Sequence, residues 1–168
     1  MEQKNFNLDF VKRTIAIIDQ YDKYVMPNSS ILDTEKYEIT LMLNCFLGLL
    51  LFPKEKHFAK IPDCAINNLD SSWGISTCHI IKPGNDCIGR ARKADKITLK
   101  EVVTDMRHSI AHILFTPYSE GGKIGGVVIA TGRSKFKARL PIKELRIFLL
   151  KLGQQVMIAA NETEGTSS

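Results

Sequence analysis

Apolar residues recur at the spacing of an amphipathic helix in four stretches of the chain. These stretches predict helices over about residues 7–25, 34–52, 99–115 and 142–159. The second predicted helix is apolar nearly all round in its later half, which favours a position at the centre of a bundle or under a partner. Gly48 lies in the middle of this helix, where glycine is unfavourable by roughly 1 kcal/mol relative to alanine. It indicates a close crossing with another helix; the alternative is a glycine that occurs there by chance.

The third predicted helix has an apolar side and a polar side. Thr98 and Glu101 form a capping box at its start, and Pro117 ends it after Phe115. The core-facing stripe consists of Leu99, Val102, Val103, Met106, Ile110, Ile113 and Leu114. The opposite side carries Glu101, Asp105, His108 and His112. Arg107 lies on the flank, and its side chain is long enough to reach toward the histidines. A polar helix face is usually only a solvated surface, but here two of the chain's four histidines lie one turn apart on it.

The remaining segments predict a loop-rich region and one β-hairpin. Residues 53–96 show no regular periodicity; Trp73 is their predicted apolar anchor, with a short helix near residues 63–68. Residues 124–131 and 134–140 predict two strands joined by a turn at residues 131–134. Alternation along the second strand places four cations on one face, Arg133, Lys135, Lys137 and Arg139. Their spacing suits successive phosphates of an extended nucleic acid, and the alternative is an edge strand whose charges prevent aggregation.

Length and composition indicate one globular domain, which we expect over residues 1–160, followed by a disordered tail at residues 161–168. The formal net charge of +5 permits an anionic partner without requiring one. The four cysteines form no Cys-x-x-Cys pair, so their spacing predicts no zinc site, and free thiols fit a reducing compartment. No apolar stretch is long enough to span a bilayer and no signal peptide is visible. We therefore expect a cytoplasmic protein without a membrane partner.

The stretch Arg107-His108-Ser109-Ile110-Ala111-His112 resembles the Arg-x4-6-His motif of the HEPN superfamily (higher eukaryote and prokaryote nucleotide-binding domain). The resemblance implies a mainly α fold, an up-and-down four-helix bundle, here with a β-hairpin inserted before the last helix. It also implies a metal-independent endoribonuclease without a cofactor, of the kind found in toxin–antitoxin and antiphage systems. Such proteins typically form homodimers that bring two motifs into one cleft, and a toxin of this kind has a neutralising antitoxin as its partner.

The same resemblance assigns three residues to catalysis. His112 would transfer a proton, Arg107 would bind the phosphate, and His108, where the family often has Asn or Asp, would support orientation or binding. Cleavage of RNA without a metal needs a base, an acid and a cation for the charged phosphorane, and histidine and arginine suit these roles. The residues expected to contact RNA are Arg133, Lys135, Lys137 and Arg139 of the strand and Arg90, Arg92 and Lys93 before the third helix.

Other functions compete with ribonuclease activity. His108 and His112 have the one-turn spacing of zinc ligands, with Glu101 or Asp105 as a third ligand, but Ser109 stands where His-Glu-x-x-His would need glutamate. We therefore expect no metal at this helix. A Ser109–His112 hydrolase pair would lack the strained turn that exposes a nucleophile. Two functions without catalysis stay open: a HEPN-fold RNA- or nucleotide-binding protein, and a helical protein-interaction module.

Overall fold

The computed structural model describes residues 6–33, 36–51, 58, 61–86 and 88–165. Their regular structure consists mainly of four α-helices and one four-stranded antiparallel sheet. The helices are α1 (Phe6–Gln20), α2 (Glu38–Leu51), α3 (Leu99–Ala111) and α4 (Ile142–Gly165). The strands are β1 (Ile80–Lys82), β2 (Phe115–Glu120), β3 (Lys123–Ala130) and β4 (Lys137–Pro141). The chain divides into two compact units, one of residues 1–60 and 149–168 and one of residues 61–148. Within the described ranges, no helix is long and apolar enough to cross a membrane.

The first unit is helical, as the sequence predicts. α1 continues into a π-helical turn at Tyr21–Val25, and together they match the helix predicted over residues 7–25. A Cβ atom on Gly48 of α2 would lie 2.6 Å from the ring of Phe10 in α1, which confirms the close helix crossing. The apolar half of α2 is buried inside this unit, whose fully buried side chains include Val11, Ile18, Met42, Phe46, Leu49, Leu50, Leu152 and Val156.

The second unit is built on the sheet, whose strand order is β1-β4-β3-β2 with antiparallel neighbours. The predicted hairpin is present as β3 and β4, but β1 and β2 extend it on both sides. The expected up-and-down four-helix bundle with one inserted hairpin is therefore wrong. Pro117 hides β2 in the sequence, and it is tolerated because β2 is an edge strand. Gly121 and Gly122, with φ of 58° and 79°, form the two-residue turn between β2 and β3.

α3 lies against β3, and its apolar stripe contributes to the core of this unit. Five of the seven predicted stripe residues are buried: Leu99, Val102, Val103, Met106 and Ile110. The sheet contributes Val127, Ile129, Ala138 and Leu140 to the same core. Trp73, the predicted anchor of the irregular segment, is 3% exposed and lies in one of three short 3₁₀-helices, Ile66–Asn68, Ser71–Trp73 and Thr77–His79.

α3 ends at Ala111, four residues before the predicted end at Phe115. His112 is the C-cap residue, and Ile113 has a left-handed backbone conformation with φ of 56°. A β-branched residue rarely adopts this conformation. The reversal at Ile113 directs the chain into β2, so that Phe115 begins a strand instead of closing a helical turn.

Two backbone hydrogen bonds form a Schellman motif at this helix end. The N–H of Leu114 donates to the carbonyl of Ser109 at 2.7 Å, and the N–H of Ile113 donates to the carbonyl of Ile110 at 3.1 Å. The Ser109 hydroxyl also donates to the Leu114 carbonyl, at 2.7 Å. Ile113 and Leu114, which the sequence places in the core stripe, are instead 78% and 40% exposed.

Two further boundaries differ from the prediction. β4 begins at Lys137, and the N–H of Thr131 donates to the carbonyl of Phe136 at 3.0 Å, so the turn expected at residues 131–134 is a longer connection. α4 begins at Ile142, as predicted, but extends to Gly165. Residues 161–165 are therefore helical where we expected a disordered tail, and residues 166–168 lie outside the described residues.

The prediction of a single domain over residues 1–160 stays a prediction.

Residues 84–86 and 88–92, the described part of what we call the 84–92 loop, pack tightly against the connection between β3 and β4. The N–H of Asn85 donates to the Ser134 carbonyl at 2.6 Å, and the N–H of Arg92 donates to the Gly84 carbonyl at 2.8 Å. Gly84 has φ of 75°, and a Cβ atom there would lie 2.5 Å from the Ser134 carbonyl oxygen. Only glycine fits this position, because any side chain would meet the backbone in front of it.

We expect Gly84→Ala to destabilise the protein more than Gly89→Ala does. Both glycines have positive φ, but a Cβ atom on Gly89 would meet nothing within 4 Å. Each substitution should cost about 1 kcal/mol for the left-handed backbone, and the backbone clash at Gly84 should add about 1–3 kcal/mol. Urea denaturation of the two variants measures the difference. Equal losses of unfolding free energy would show that the loop does not press on the connection.

Candidate functional site

A polar pocket of about 580 Å³ lies within the second unit, beside the motif helix α3. Its wall comes from three segments: the 84–92 loop, the first three turns of α3, and the connection between β3 and β4. Asp63 adds a carboxylate from the irregular segment. Because these are separate segments of the chain, the pocket exists only where the fold brings them together.

The base of the pocket is an ion pair between Arg92 and Asp105. One guanidinium nitrogen of Arg92 donates to Asp105 Oδ2 at 2.5 Å, and the side chains of both residues are 10% exposed. The Ser134 hydroxyl donates to the other carboxylate oxygen at 2.6 Å and also hydrogen-bonds Thr131. The second terminal nitrogen of Arg92 lies 3.6 Å from Glu101 Oε1. These contacts join the loop, the helix and the connection through one buried carboxylate.

This arrangement changes how Arg92 and Asp105 are interpreted. The sequence predicts Arg92 as an RNA contact and places Asp105 on the polar side of α3, away from the core. In the structure Asp105 is buried under the loop, and the Arg92 guanidinium is engaged by two carboxylates. Removing either partner of a buried ion pair leaves an uncompensated charge, which is typically strongly destabilising. Arg92 therefore holds the pocket together, and its contact with RNA stays a prediction.

The predicted catalytic residues lie on the last turns of α3. The rings of His108 and His112 are 4.4 Å apart between centroids and inclined by 55°. His108 is half-buried and lines the pocket, whereas His112, at the C-cap, is exposed and lies outside the lining. Arg107 is half-buried and does not line the pocket either. The helix thus brings the two histidines together and leads from the pocket to His112.

The even row of four cations along one strand is not formed. Lys137 and Arg139 are exposed on β4, but Arg133 and Lys135 precede it in the connection, where Lys135 has φ of 57°. Arg139 lies 3.9 Å above the ring of Tyr118 and 4.0 Å from Glu120. Since β4 lies between β1 and β3, the alternative of a protected edge strand is wrong as well.

Of the other residues expected to contact RNA, one lines the pocket. Arg133 lines the pocket, and Arg90 and Lys93 are exposed nearby along the chain. Lys100, which the sequence analysis did not single out, also lines it. The sequence could have indicated Lys100, because Lys100, Thr104 and His108 follow one another at four-residue intervals and therefore share a helix face. Asn85 and Ser134 carry no such signal, since only tertiary packing places them here.

Two competing chemistries concern the same helix. Among the described residues, no group of three or more His, Cys, Asp or Glu side chains could hold a metal ion. Ser109 is fully buried and its hydroxyl donates to a backbone carbonyl, so it is not an exposed nucleophile. Outside the pocket, burial lowers the pKa of His79 against the opposing effect of Glu144, and burial raises the pKa of Cys45 to about 11. Both groups are therefore held in their neutral forms near neutral pH.

Comparison with known proteins gives a match to a protein family. No curated protein and no solved structure matches the chain. A family model described as HEPN pEK499 p136 matches residues 1–162, which include the whole pocket and the motif on α3. The chain therefore belongs to the HEPN pEK499 p136 family, as the resemblance of its Arg107–His112 segment to the superfamily motif predicts.

Proposed function

We propose that this protein is a metal-independent endoribonuclease of the HEPN type. Its family supports a nuclease or other RNA-related role at the level of the superfamily. The observation that most supports RNA cleavage without a metal is the pair of histidine rings, 4.4 Å apart between centroids, at the end of the helix that also contains Arg107. Two imidazoles and a guanidinium are sufficient side-chain chemistry for RNA cleavage without a metal.

The reaction uses the 2′-hydroxyl of the substrate as its nucleophile. A histidine accepts the 2′-hydroxyl proton as the bond from the 2′-oxygen to phosphorus forms. The bond from phosphorus to the 5′-oxygen breaks, and the leaving oxygen takes a proton from an acid. We assign proton transfer to His112, charge stabilisation on the phosphorane to Arg107, and orientation to His108. The products are a 2′,3′-cyclic phosphate and a 5′-hydroxyl.

A homodimer would complete this site by doubling the catalytic set. The sequence argument for a dimer used the apolar excess of α2, but that excess is buried within the protomer. The support comes instead from Ile113 and Leu114, two exposed apolar side chains that directly follow His112. A two-fold axis near this helix end would cover them and bring two motifs together. We further propose that the protein acts in the cytoplasm as a toxin or antiphage effector and has an antitoxin as its partner.

A second candidate is a HEPN-fold protein that binds RNA or a nucleotide without cleaving it. The pocket favours this function, because it offers polar and charged groups without involving Arg107 or His112. The two functions differ in whether His112 is needed, and the first experiment below separates them.

Arg107→Ala and His112→Ala should each abolish RNA cleavage while leaving folding and RNA binding largely intact. Both side chains lie off the core stripe, and lost proton transfer typically costs about 10²- to 10⁴-fold in rate. His108→Ala should have a smaller effect. Cleavage of total RNA in EDTA, with cyclic-phosphate ends identified by mass spectrometry, is the measurement, and Lys96→Ala serves as a surface control. Full activity of His112→Ala would refute the assignment, and activity restored only by zinc would make the histidines metal ligands.

The protein should sediment as a dimer at micromolar concentration, and Ile113→Glu should shift it to the monomer. A buried interface does not tolerate an unpaired carboxylate. Ile81→Glu is the control, because Ile81 is also an exposed isoleucine, at 50% against 78% for Ile113, and lies on β1, far along the chain from the motif. A wild-type protein that is monomeric throughout the concentration range would remove the composite site from the proposal.

Replacing Lys135 and Lys137 by glutamine should weaken binding to single-stranded RNA and flatten its salt dependence. Each lost phosphate contact should reduce the slope of log K against log salt by about 0.7. Stability should hardly change, because both side chains are exposed. The pair Lys96→Gln and Lys143→Gln, also exposed, controls for net charge. A slope that falls equally in both double variants would show that these strand-side cations have no specific role.

A further inference from the structure

The charges that line the pocket are unevenly compensated. Asp86 accepts hydrogen bonds from the backbone N–H groups of Ile88 and Arg90, at 3.0 Å and 2.8 Å. Glu101 accepts from the Thr98 N–H and contacts Arg92, and Asp105 is paired with Arg92 and Ser134. Three of the four lining carboxylates are therefore occupied by the protein itself.

Two lining cations remain available. Lys100 and Arg133 make no ion pair with any residue in the described part of the chain, although carboxylates lie in the same pocket. Asp63 is the lining carboxylate that likewise has no described partner. A ligand that fits these free charges has an anionic group for the two cations and hydrogen-bond donors for Asp63.

The uncharged polar groups of the pocket suit the same kind of ligand. The Asn85 side-chain amide has no hydrogen-bond partner among the described residues, so its donor and its acceptor are both available. The Thr104 hydroxyl donates to the Lys100 carbonyl at 2.9 Å and can still accept a hydrogen bond. An amide is a group that reads the polar edge of a nucleobase.

Size and rigidity restrict the ligand further. A volume of about 580 Å³ is within the usual range of small-molecule sites and accommodates a single nucleotide, but no duplex. The base of the pocket is fixed by the buried Arg92–Asp105 pair and by the close approach of Gly84 to Ser134. Such a site is formed before the ligand arrives, which lowers the entropic cost of binding.

The pocket is also continuous with the motif helix. His108 belongs to the pocket wall, and its ring lies against that of His112. Four residues of helix separate the two histidines by about 6 Å along the axis. A nucleotide in the pocket would therefore have its neighbouring phosphodiester near the catalytic pair.

From these observations we infer that the pocket is a subsite for one unpaired ribonucleotide of the RNA substrate, adjacent to the scissile phosphate. Lys100 and Arg133 bind its phosphate, Asn85 contacts its base edge, and Asp63 accepts hydrogen bonds from its hydroxyl or amino groups. This inference rests on the proposed ribonuclease function and adds the residues that select the cleavage position.

The first arm of the test measures binding of the four ribonucleoside 5′-monophosphates and of inorganic phosphate by calorimetry. At least one nucleotide should bind, and inorganic phosphate should bind about tenfold more weakly because it lacks the contacts of the base and ribose. The double variant Lys100→Ala/Arg133→Ala and the single variant Asn85→Ala should each lose about tenfold or more in nucleotide affinity. Lys96→Ala/Lys143→Ala, which removes the same charge elsewhere, should bind as the wild type does.

The second arm measures cleavage of a single-stranded RNA. The Lys100→Ala/Arg133→Ala variant should raise KM about tenfold with little change in kcat, because the subsite binds substrate without taking part in proton transfer. Asn85→Ala should change which positions are cleaved. A circular dichroism spectrum matching that of the wild type confirms that each variant is folded.

The two arms separate this inference from the ribonuclease proposal. Suppose that the protein cleaves no RNA, but binds a nucleotide through the pocket residues and still does so as the His112→Ala variant. This result would support the nucleotide site and refute the proposed ribonuclease activity. Cleavage with unchanged KM in the pocket variants would overturn the subsite and leave the ribonuclease standing. Equal affinity for inorganic phosphate and for every nucleotide would overturn the assignment of a base and ribose site.

Discussion

The buried ion pair of Arg92 and Asp105 is the interaction on which the site depends. Transferring two charges into a protein interior is costly, and their mutual attraction offsets that cost only when further hydrogen bonds complete the geometry. Here Ser134 occupies the second oxygen of Asp105, and Glu101 contacts the second terminal nitrogen of Arg92. One carboxylate of α3 thereby holds both the 84–92 loop and the connection between β3 and β4. Without it, these segments would have little reason to enclose a pocket on the polar side of the helix.

The second constraint is the early end of α3. A helix continued to Phe115 would use the first residue of β2. The chain instead adopts a left-handed conformation at Ile113, which costs an L-residue roughly 1–2 kcal/mol. The hydrogen bonds between Leu114 and Ser109 stabilise this turn. Residues in strained conformations often lie at functional sites, and this one separates the motif histidine His112 from the sheet.

The local parts of this structure could be predicted from the sequence, and the non-local parts could not. Periodicity located all four helices, and alternation located the β3–β4 hairpin, because both patterns arise from neighbours along the chain. The capping box at Thr98 and Glu101 is also formed as predicted. β1 is too short to show a pattern, and Pro117 conceals β2. The sequence shows that Asp105 lies opposite the core stripe, but its burial depends on a loop whose path no local pattern specifies.

The same distinction applies to the basic residues. Arg92 belongs to a run of cations in the sequence, which gives no reason to separate it from Arg90 and Lys93. Only its partner on α3 makes it structural, while Lys100 and Arg133 keep their charges available at the pocket. Basic residues of the same pocket can therefore differ, since Arg92 is held by the protein's own carboxylates and Lys100 and Arg133 are not. The difference lies in which cation has a carboxylate within reach, and that is a property of the fold.

The division of α3 suggests how recognition and chemistry are combined on one helix. Its residues Lys100 to His108 contribute to the pocket wall, Arg107 and the C-cap His112 lie toward its C-terminal end, and the ring of His108 lines the pocket and lies against that of His112. An α-helix is stiff over this length, so a ligand held by the first turns has a defined position relative to the last. The Arg92–Asp105 pair fixes the loop to the same helix, only two residues before Arg107. Precise placement of a substrate beside catalytic groups is worth several kcal/mol in rate, and under the proposed function this one helix would provide that placement.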